Sequence, residues 1–301
     1  MNLEQLVYIL EVYKAGSISN AAKNCHVTIP AISQAISLLE KELNTQIFKR
    51  SRTGSIPTEK GLLIINKAEE IIKNMEELKE IALSGDHAIH GNLNISASPS
   101  MIILVFAAAF AFKKDYPNVE IKITENSAEE IIENIKSNND DIGFLMLNSE
   151  LLDNSDFWEY QSLIKDRMYL CVGRHSPLAK KSTVEPEEAL KHPFVTYSGI
   201  NAKRLMKNFF KKHGEAKLLF QSNQFEIIKR TISEGFAVSF INGLVLKDDP
   251  RVSNGDVVPL KVKDFDIEIP FGWLRKRNTY FSPAAKKFLA YIKKEAESGN
   301  Y

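Results

Sequence analysis

The sequence predicts an α/β protein built from a small all-α head, one long helix and a C-terminal two-lobed α/β part. Three observations support this fold class. Closely spaced helix caps occur in the first 58 residues, an uninterrupted helical period without proline follows over residues 59–84, and strand and helix patterns alternate from residue 92 onward. We therefore predict a head at 1–58, a linker helix at 59–84, a hinge at 85–91 and an α/β domain at 92–301.

Composition limits the class of protein. The chain has 301 residues, 44% of them hydrophobic, which is enough for two or three domains with their own cores. Its net charge is only +1, so any attraction for nucleic acid has to be local. The cysteines, Cys25 and Cys171, fall in different predicted domains, so we expect a cytoplasmic protein without a structural disulfide. Cys25 lies on an apolar helix face and is interpreted as a core residue.

No targeting or membrane segment is expected. The first residues, MNLEQLVYILEVYK, mix charged and apolar residues at helical spacing, unlike the apolar core of a signal peptide. The longest apolar run, residues 101–112, has twelve residues, whereas roughly 20 are needed to cross a bilayer. We expect this run to form a buried helix.

The head is predicted to be a winged helix-turn-helix. After a first helix, Ser17 caps a second one, and Thr28 with Pro30 in the first turn starts a third. Asn44 suits the left-handed residue that ends a helix, and an extended basic segment follows it. Other small helical packings give similar patterns, but the caps, a polar outward face and three nearby cations together favour DNA binding. The buried stripe of the third helix is predicted to be Ile32, Ile36, Leu39 and Leu43.

Two groups of residues are expected to contact DNA. Small and polar residues in the first turns of the third helix can approach base edges and phosphates closely. The cations of the extended segment suit phosphates and make binding salt-dependent, although a solvated charged turn has the same sequence pattern. The predicted DNA-contacting residues are Ser17, Thr28, Pro30, Ala31, Ser33, Gln34, Ser37, Lys41, Lys49, Arg50, Arg52 and Thr58.

Residues 15–61, AGSISNAAKNCHVTIPAISQAISLLEKELNTQIFKRSRTGSIPTEKG, resemble the N-terminal signature of LysR-type transcriptional regulators. The chain departs from that signature at Asn44 (usually Gly), at Ile47 (usually Leu) and at 28–29, where the family often has a Ser-Gln pair that touches DNA. The resemblance implies a homodimer or homotetramer on double-stranded promoter DNA, controlled by a small-molecule effector, with RNA polymerase as a further candidate partner. The shared features are paired alanines, a serine at 33, Leu-Glu at 39–40, a Leu-Phe-x-Arg-like element at 47–50 and Thr-x-x-Gly at 58–61.

The linker helix carries apolar residues at alternating spacings of four and three, which is the pattern of two paired helices. A single amphipathic helix packed on its own domain shows the same pattern over three heptads. A dimer is favoured because a twofold DNA site needs two recognition helices at a fixed distance, and in the resembling family this helix is the dimerisation arm. The residues expected at the dimer contact are Ile64, Ala68, Ile71, Met75, Leu78 and Ala82.

From residue 92, alternating strands and helices predict βαβ units with a parallel sheet, followed by a second copy of the same texture. The last strand and helix are expected to return to the first lobe, as in the type II periplasmic-binding-protein folds that this region resembles. Lobe 1 is placed at about 92–162 and 267–301, and lobe 2 at about 163–266. The predicted strands are 93–97, 119–124, 142–147, 168–172, 193–196, 217–220, 237–240 and 267–274, and the predicted helices are 100–114, 128–137, 202–212, 225–234 and 283–296.

A cleft between such lobes binds small molecules at strand ends and helix N-termini, where free amides favour anions. Residue chemistry alone explains Ser98 equally well as the cap of the next helix, whereas the family resemblance favours ligand contact. Arg167 and Arg174 suit either a carboxylate ligand or solvent. We expect an anionic effector. The predicted effector-binding residues are Ser98, Pro99, Ser100, Met101, Thr196, Phe236 and Phe240.

The sequence has none of the catalytic motifs that would indicate an enzyme: no glycine-rich phosphate loop, GxSxG, HExxH or CxxC. His87 and His90 lack cysteine or acidic partners at ligand spacing and are interpreted as linker residues. No enzyme, cofactor or metal is predicted. A transport binding protein is disfavoured because the α/β part follows a DNA reader. The second hypothesis is a DNA-binding architectural or ligand-independent regulator whose α/β part mainly oligomerises.

Overall fold

The computed structural model describes residues 1–51, 54–83, 89–148 and 156–299. The chain divides into two compact units, Met1–His87 and Ala88–Tyr301, and each is described by itself. The predicted fold class is confirmed: the first unit is a winged helix-turn-helix with a long helix, and the second is a two-lobed α/β unit. Among the described helices, none combines the length and apolarity that crossing a membrane requires.

The N-terminal unit packs three helices, a hairpin and the start of a long helix around one core. The predicted stripe of the third helix is buried except at Leu43, which is exposed at the helix end. The elements are α1 (Leu3–Ala15), α2 (Ile18–Asn24), α3 (Ile29–Glu42), β1 (Phe48–Ser51), β2 (Gly54–Pro57) and α4 (Glu59–Leu83). The core includes Leu6, Ile9, Ala21, Ile32, Ile36, Leu39, Ile47, Ile65 and Ala68.

The predicted caps define the ends of the helices in this unit. The Ser17 hydroxyl accepts a hydrogen bond from Asn20 N at 3.3 Å, and the Thr28 hydroxyl accepts one from Ala31 N at 3.4 Å. Asn44 follows α3 with a φ of +47°, so the left-handed end expected of it is confirmed. These caps are local interactions, which explains why the sequence reveals them.

The second unit alternates strands and helices, and its lobes have separate cores. Phe112, Phe144 and Phe288 lie in the core of the first lobe, and Phe194 and Phe209 lie in that of the second. The strands are β3 (Gly91–Ala97), β4 (Val119–Glu125), β5 (Ile142–Met146), β6 (Trp158–Gly173), β7 (Thr183–Val184), β8 (Phe194–Tyr197), β9 (Leu218–Ser222), β10 (Ser239–Asn242), β11 (Val257–Val262) and β12 (Glu268–Lys276). The helices are α5 (Ile102–Asp115), α6 (Ala128–Lys136), α7 (Pro186–Ala189), α8 (Ile200–His213), α9 (Phe225–Ser233), α10 (Gly243–Leu246), α11 (Pro250–Ser253) and α12 (Pro283–Ser298).

Most strands form one eight-stranded sheet in the order β4-β3-β5-β12-β6-β11-β7, with β10 also paired to β6. Strand β3 runs parallel to β4 and β5, as the predicted βαβ units require. In contrast, β6 and β12 are antiparallel to each other, and β12 is antiparallel to β5. Strands β8 and β9 form a separate parallel pair.

Strand β6 connects the two lobes. Its first part pairs with β12, whereas its C-terminal part pairs with β10 and β11. The β6–β12 ladder shifts register between Phe271 and Gly272. Met168 and Ile267 pack against the cores of both lobes, so they mark the boundary between the lobes.

Besides the two-residue strand β7, which was not predicted, two strands differ clearly from the prediction. The predicted strand at 168–172 is only the end of β6, which begins at Trp158, because the residues between are mostly polar and lack strict alternation. Strand β11 was missed because Pro259 stands in it, and proline argues against a strand in sequence. Both are recognised only through their pairing partners.

Candidate functional site

Helix α3 exposes the side that was predicted to contact DNA. Ser33 on this helix is half-buried. No acidic residue lies in the first turn, so that turn does not repel a phosphate. The exposed predicted residues are Thr28, Pro30, Ala31, Gln34, Ser37 and Lys41. Their contact with DNA stays a prediction.

The β1–β2 hairpin forms the wing. Lys49 lies opposite Ile56 in the ladder and is exposed to solvent. The side chain of Arg50 and all of Arg52 lie outside the described residues. Ser17 is half-buried and caps α2, so its hydroxyl already has a structural partner. Lys49 is therefore the wing cation whose position the structure gives.

Thr58 ties the long helix to the wing. Its hydroxyl donates to the carbonyl of Gln46 at 2.7 Å and accepts from Gly61 N at 2.8 Å. Thr58 N donates to the carbonyl of Ile47 at 2.9 Å. A Cβ on Gly61 would lie 2.0 Å from that same carbonyl oxygen. The Thr-x-x-Gly spacing thus has a packing reason, and a DNA contact of Thr58 stays a prediction.

Glu40 holds the wing against α3. One of its carboxylate oxygens accepts hydrogen bonds from Ile47 N at 2.7 Å and Phe48 N at 3.1 Å. Gln5 likewise donates to the carbonyl of Ala35 at 3.2 Å and joins α1 to α3. Sequence reasoning missed both roles, because polar residues on amphipathic helices usually face solvent. The only signal was Glu40's place in the Leu-Glu pair.

Helix α4 has two apolar faces. Ala68 is only 1% exposed and belongs to the core of the head, so its assignment to a dimer contact is wrong: α4 packs this face on α1. In contrast, Ile71 is 37% and Leu78 is 67% exposed. Ile64 and Met75 are half-buried, and the side chain of Ala82 lies outside the described residues. The sequence pattern did not distinguish the face of α4 that is buried in the head from the face that is exposed to solvent.

A cavity of about 470 Å³ lies between the lobes of the second unit. Its floor is apolar, and its polar residues come from strand ends and helix starts in both lobes. The apolar residues include Leu145, Met146, Leu147, Met168, Leu205, Phe240, Ile267, Ile269 and Phe271. The polar residues include Ser98, Ser100, Ser127, Asn148, Tyr197, Asn201, Arg204, Asn208 and Asn242.

Ser98 does not cap the helix that follows it. Helix α5 starts at Ile102, and its N-terminus has no side-chain cap. The Ser98 hydroxyl is buried and has no hydrogen-bond partner among the described residues. Leaving such a group unsatisfied is unfavourable, so this oxygen is suited to receive a ligand.

Two pairs of side chains bridge the cleft. The Ser100 hydroxyl donates to Asn242 Oδ1 at 3.1 Å, and Asn242 donates in turn to Asp166 at 3.0 Å. On the other side, Asn148 donates to Asn201 Oδ1 at 3.3 Å. Since Ser100 and Asn148 belong to the first lobe and their partners to the second, these bonds hold the lobes together.

Not every residue predicted for the cleft lines it. Of the seven residues predicted to bind the effector, four line this cavity, namely Ser98, Pro99, Ser100 and Phe240.

Three predicted residues lie elsewhere. Met101 is fully buried in the core of the first lobe. Thr196 is buried, and its hydroxyl donates to the carbonyl of Tyr197. Strand β8 ends one residue later than predicted, so Tyr197 lines the cavity in its place. Phe236 is 67% exposed outside the cavity, since it precedes β10. Applying the strand-end rule to the correct ends identifies Tyr197 and Asn242.

The outer end of the cleft is acidic. A second cavity of about 520 Å³ shares lining residues with the first. It is lined by three acidic residues, Glu125, Glu129 and Glu130, and by one basic residue, Lys203. Burial, followed by these three carboxylates, raises the pKa of Tyr197 above its usual range. The first cavity is lined by Arg204 together with the carboxylates Glu129 and Glu268, and Glu268 pairs with Lys165 at 2.8 Å. Among the described residues that line this cavity, Arg204 is therefore the cation that could pair with an anionic ligand.

Other candidate groups are occupied or inert. Arg167 pairs with Asp266 at 2.6 Å and Arg174 with Asp256 at 2.5 Å, and neither arginine is among the residues that line the two cavities. Burial raises the pKa of the Cys25 and Cys171 thiols. Within the described ranges, no group of three or more histidine, cysteine or acidic residues has the arrangement of a metal site. His87 lies outside those ranges.

Each of the two units matches a known protein family model. Residues 3–62 match the family model "Bacterial regulatory helix-turn-helix protein, lysR family", and residues 87–297 match "LysR substrate binding domain". The chain is 24% identical over 283 residues to the uncharacterized HTH-type transcriptional regulator YbhD of Escherichia coli (strain K12), covering 93% of this chain and 87% of that one.

Solved structures have the same fold. Full-length CbnR complexed with its target DNA aligns with a TM-score of 0.71 at 17% identity, covering 98% of this chain and 100% of that one. The regulatory domain of CcmR from Synechocystis PCC6803, in complex with 2-PG, aligns with a TM-score of 0.62 at 18% identity, covering 69% and 98%. The families and relatives matched are transcriptional regulators and not enzymes. Because the two family models together match most of the chain, this protein belongs to the LysR family of bacterial transcriptional regulators.

Proposed function

We propose that this protein binds a twofold promoter site as a homodimer or a pair of dimers, and that an anionic small molecule in the cleft changes this binding. The observation that carries the proposal is the buried Ser98 hydroxyl, which has no partner in the described structure and lines a cavity between two lobes. A ligand oxygen there would complete its hydrogen bonding.

The lining of the cavity supports one kind of effector. Ser98 and Ser100 offer hydroxyls, and Arg204 supplies a positive charge from the second lobe. The apolar floor suits a small organic body, and the acidic outer end disfavours a second negative charge there. We therefore propose a compact molecule with one anionic group and an apolar part. The solved CcmR domain contains a small ligand, 2-PG, which supports this proposal by analogy.

The cross-cleft bonds suggest how the effector acts. Ser100–Asn242 and Asn148–Asn201 join the lobes without a ligand. A bound anion competes for Ser100, so it changes the relative stability of lobe arrangements by its different affinity for each. Changed lobe geometry then alters the spacing of DNA-binding heads in the oligomer.

Exposed apolar faces support self-association. Leu63 and Leu78 are 70% and 67% exposed on α4, and α5 exposes Ile103, Phe106 and Phe110. Exposed apolar residues that share a helix face are typical of protein contacts. A dimer would bury them and place two α3 helices on the two halves of a symmetric DNA site.

The proposal is tested with the full chain in two steps. First, duplexes are selected from a randomised DNA library, and the enriched duplex is used in titrations. Second, a panel of small carboxylates and phosphates is screened by thermal shift, and each hit is added to the DNA titration. We expect at least one anion to raise the melting temperature and change DNA affinity. If the panel changes neither quantity, the alternative of a ligand-independent, architectural regulator replaces this proposal.

A further inference from the structure

The first turn of α3 is apolar at the point where it would meet DNA. Ile29, the first residue of the helix, is 52% exposed, and its neighbours Pro30 and Ala31 are exposed as well. The core does not need Ile29, because the inner face of α3 is filled by other residues. Covering an isoleucine that is exposed to this extent with an apolar partner would be favourable.

The same turn has few groups available for hydrogen bonds. The Thr28 hydroxyl accepts from Ala31 N as the helix cap and keeps its own O–H as a donor. Ala31 N also donates to the Thr28 carbonyl at 3.1 Å. Pro30 has no N–H to donate. Apart from the Thr28 O–H, the exposed side chains at 29–31 can therefore contact a base only through apolar surface.

In the major groove, one base offers an apolar group. All four bases present hydrogen-bonding groups there, but only thymine adds a methyl group, at C5. The N-terminal residues of a recognition helix are those that reach base edges. The β-branched side chain of isoleucine has few rotamers, so it loses little entropy in such a contact. Gln34, exposed about one turn later, can supply the hydrogen bonds to a neighbouring base.

We propose that Ile29 recognises a thymine methyl group, so that the preferred DNA site has a thymine opposite the first turn of α3 in each half. This inference rests on the proposed function, because it requires α3 to enter the major groove. It adds a residue that sets base preference by methyl contact.

The test uses the duplex selected by the wild-type chain. Each thymine of one half-site is replaced in turn by deoxyuridine, which removes the methyl and keeps the base pairing. We expect one position at which the replacement weakens binding roughly three- to fivefold, the effect of one buried methyl-sized group. At that position Ile29→Ala should bind the thymine and uracil duplexes equally, because the methyl has lost its partner.

Two further variants make the result specific. Leu38, 53% exposed on the same helix but more than two turns from its tip, is the matched control: Leu38→Ala should keep the full thymine preference at that position. Ile29→Gln should move the preference there towards adenine, since glutamine bonds bidentately to that base. Melting temperatures of all variants verify that they fold.

The outcomes separate the two claims. If no deoxyuridine replacement weakens binding, or if the effect persists undiminished in Ile29→Ala, methyl recognition by Ile29 is wrong, although DNA binding itself stands. If the library yields no enriched duplex, the proposed function itself is refuted.

Discussion

The substitution Gly61→Ala tests how the wing is held. A Cβ at position 61 would lie 2.0 Å from the carbonyl oxygen of Ile47, whereas ordinary contacts begin at 3.4 Å. The neighbouring atom belongs to the backbone, so it cannot rotate away. The start of α4 and the start of the wing must therefore separate by about 1.4 Å.

The magnitude follows from the bonds in this region. Separation breaks the bonds from Thr58 N to Ile47 and from the Thr58 hydroxyl to Gln46, each contributing about 1 kcal/mol. Residual overpacking costs about 1–3 kcal/mol, and alanine returns about 1 kcal/mol through its higher helix propensity. The expected loss is about 3 kcal/mol, or roughly 10–20 °C in melting temperature for a unit of this size.

The assay can separate the two units within one chain. Both tryptophans, Trp158 and Trp273, lie in the second unit, so tryptophan fluorescence follows only that unit. Circular dichroism detects the helical head as well, and hydrogen exchange of the Thr58 amide reports the junction directly. We expect an earlier dichroism transition, faster exchange and an unchanged fluorescence transition. The matched control is Asn66→Ala, exposed on the same helix, which should change stability by less than about 0.5 kcal/mol. A Gly61→Ala chain that melts like the wild type would refute the steric argument.

Three further outcomes are expected. Lys49→Ala should weaken binding to all duplexes alike and reduce the slope of log affinity against log salt by about one; an unchanged slope, measured by anisotropy, would contradict a phosphate contact. Ser100→Ala removes the hydrogen bond to Asn242 and should lower the free energy of unfolding of the second unit by about 1 kcal/mol, measured by urea denaturation with tryptophan fluorescence. The same variant should abolish effector-induced shifts in melting temperature and keep its DNA affinity in the absence of effector. Burial raises the pKa of the Cys171 thiol, so less of the reactive thiolate is present at pH 8 in the folded state than in the unfolded state. Iodoacetamide at pH 8 should therefore label this thiol only after unfolding. Labelling at the rate of an exposed cysteine would contradict its burial.

Local interactions made the head predictable. Caps such as Ser17 and Thr28 need only neighbouring residues, and the buried stripe of α3 follows directly from the helical period. The left-handed residue at Asn44 is equally local. These features depend on a few consecutive residues, so a single sequence contains the information.

Long-range packing made the other features unpredictable. Ala68 fits an alternating pattern on α4, but contact with α1 decides its side of the helix. A difference of one residue at the end of β8 exchanged Thr196 for Tyr197 as a cavity residue, because side chains alternate faces along a strand. Glu40 accepts a hydrogen bond from Ile47 N, 7 residues away along the chain, and Asn242 accepts one from Ser100, 142 residues away. Sequence patterns carry little information about such pairs.

The paired strands β6 and β12 restrict how the lobes can move. They form nine residue pairs next to the lobe boundary, and a ladder of this length behaves as a twisted ribbon with its own stiffness. One lobe therefore cannot swing about a single flexible bond; the ribbon must change its twist. Gly272, where the register shifts, comes so close to the carbonyl of Gln161 that a Cβ would stand 2.0 Å from that oxygen. An effector of the kind proposed above would therefore have to change the twist of this ribbon to change the arrangement of the lobes.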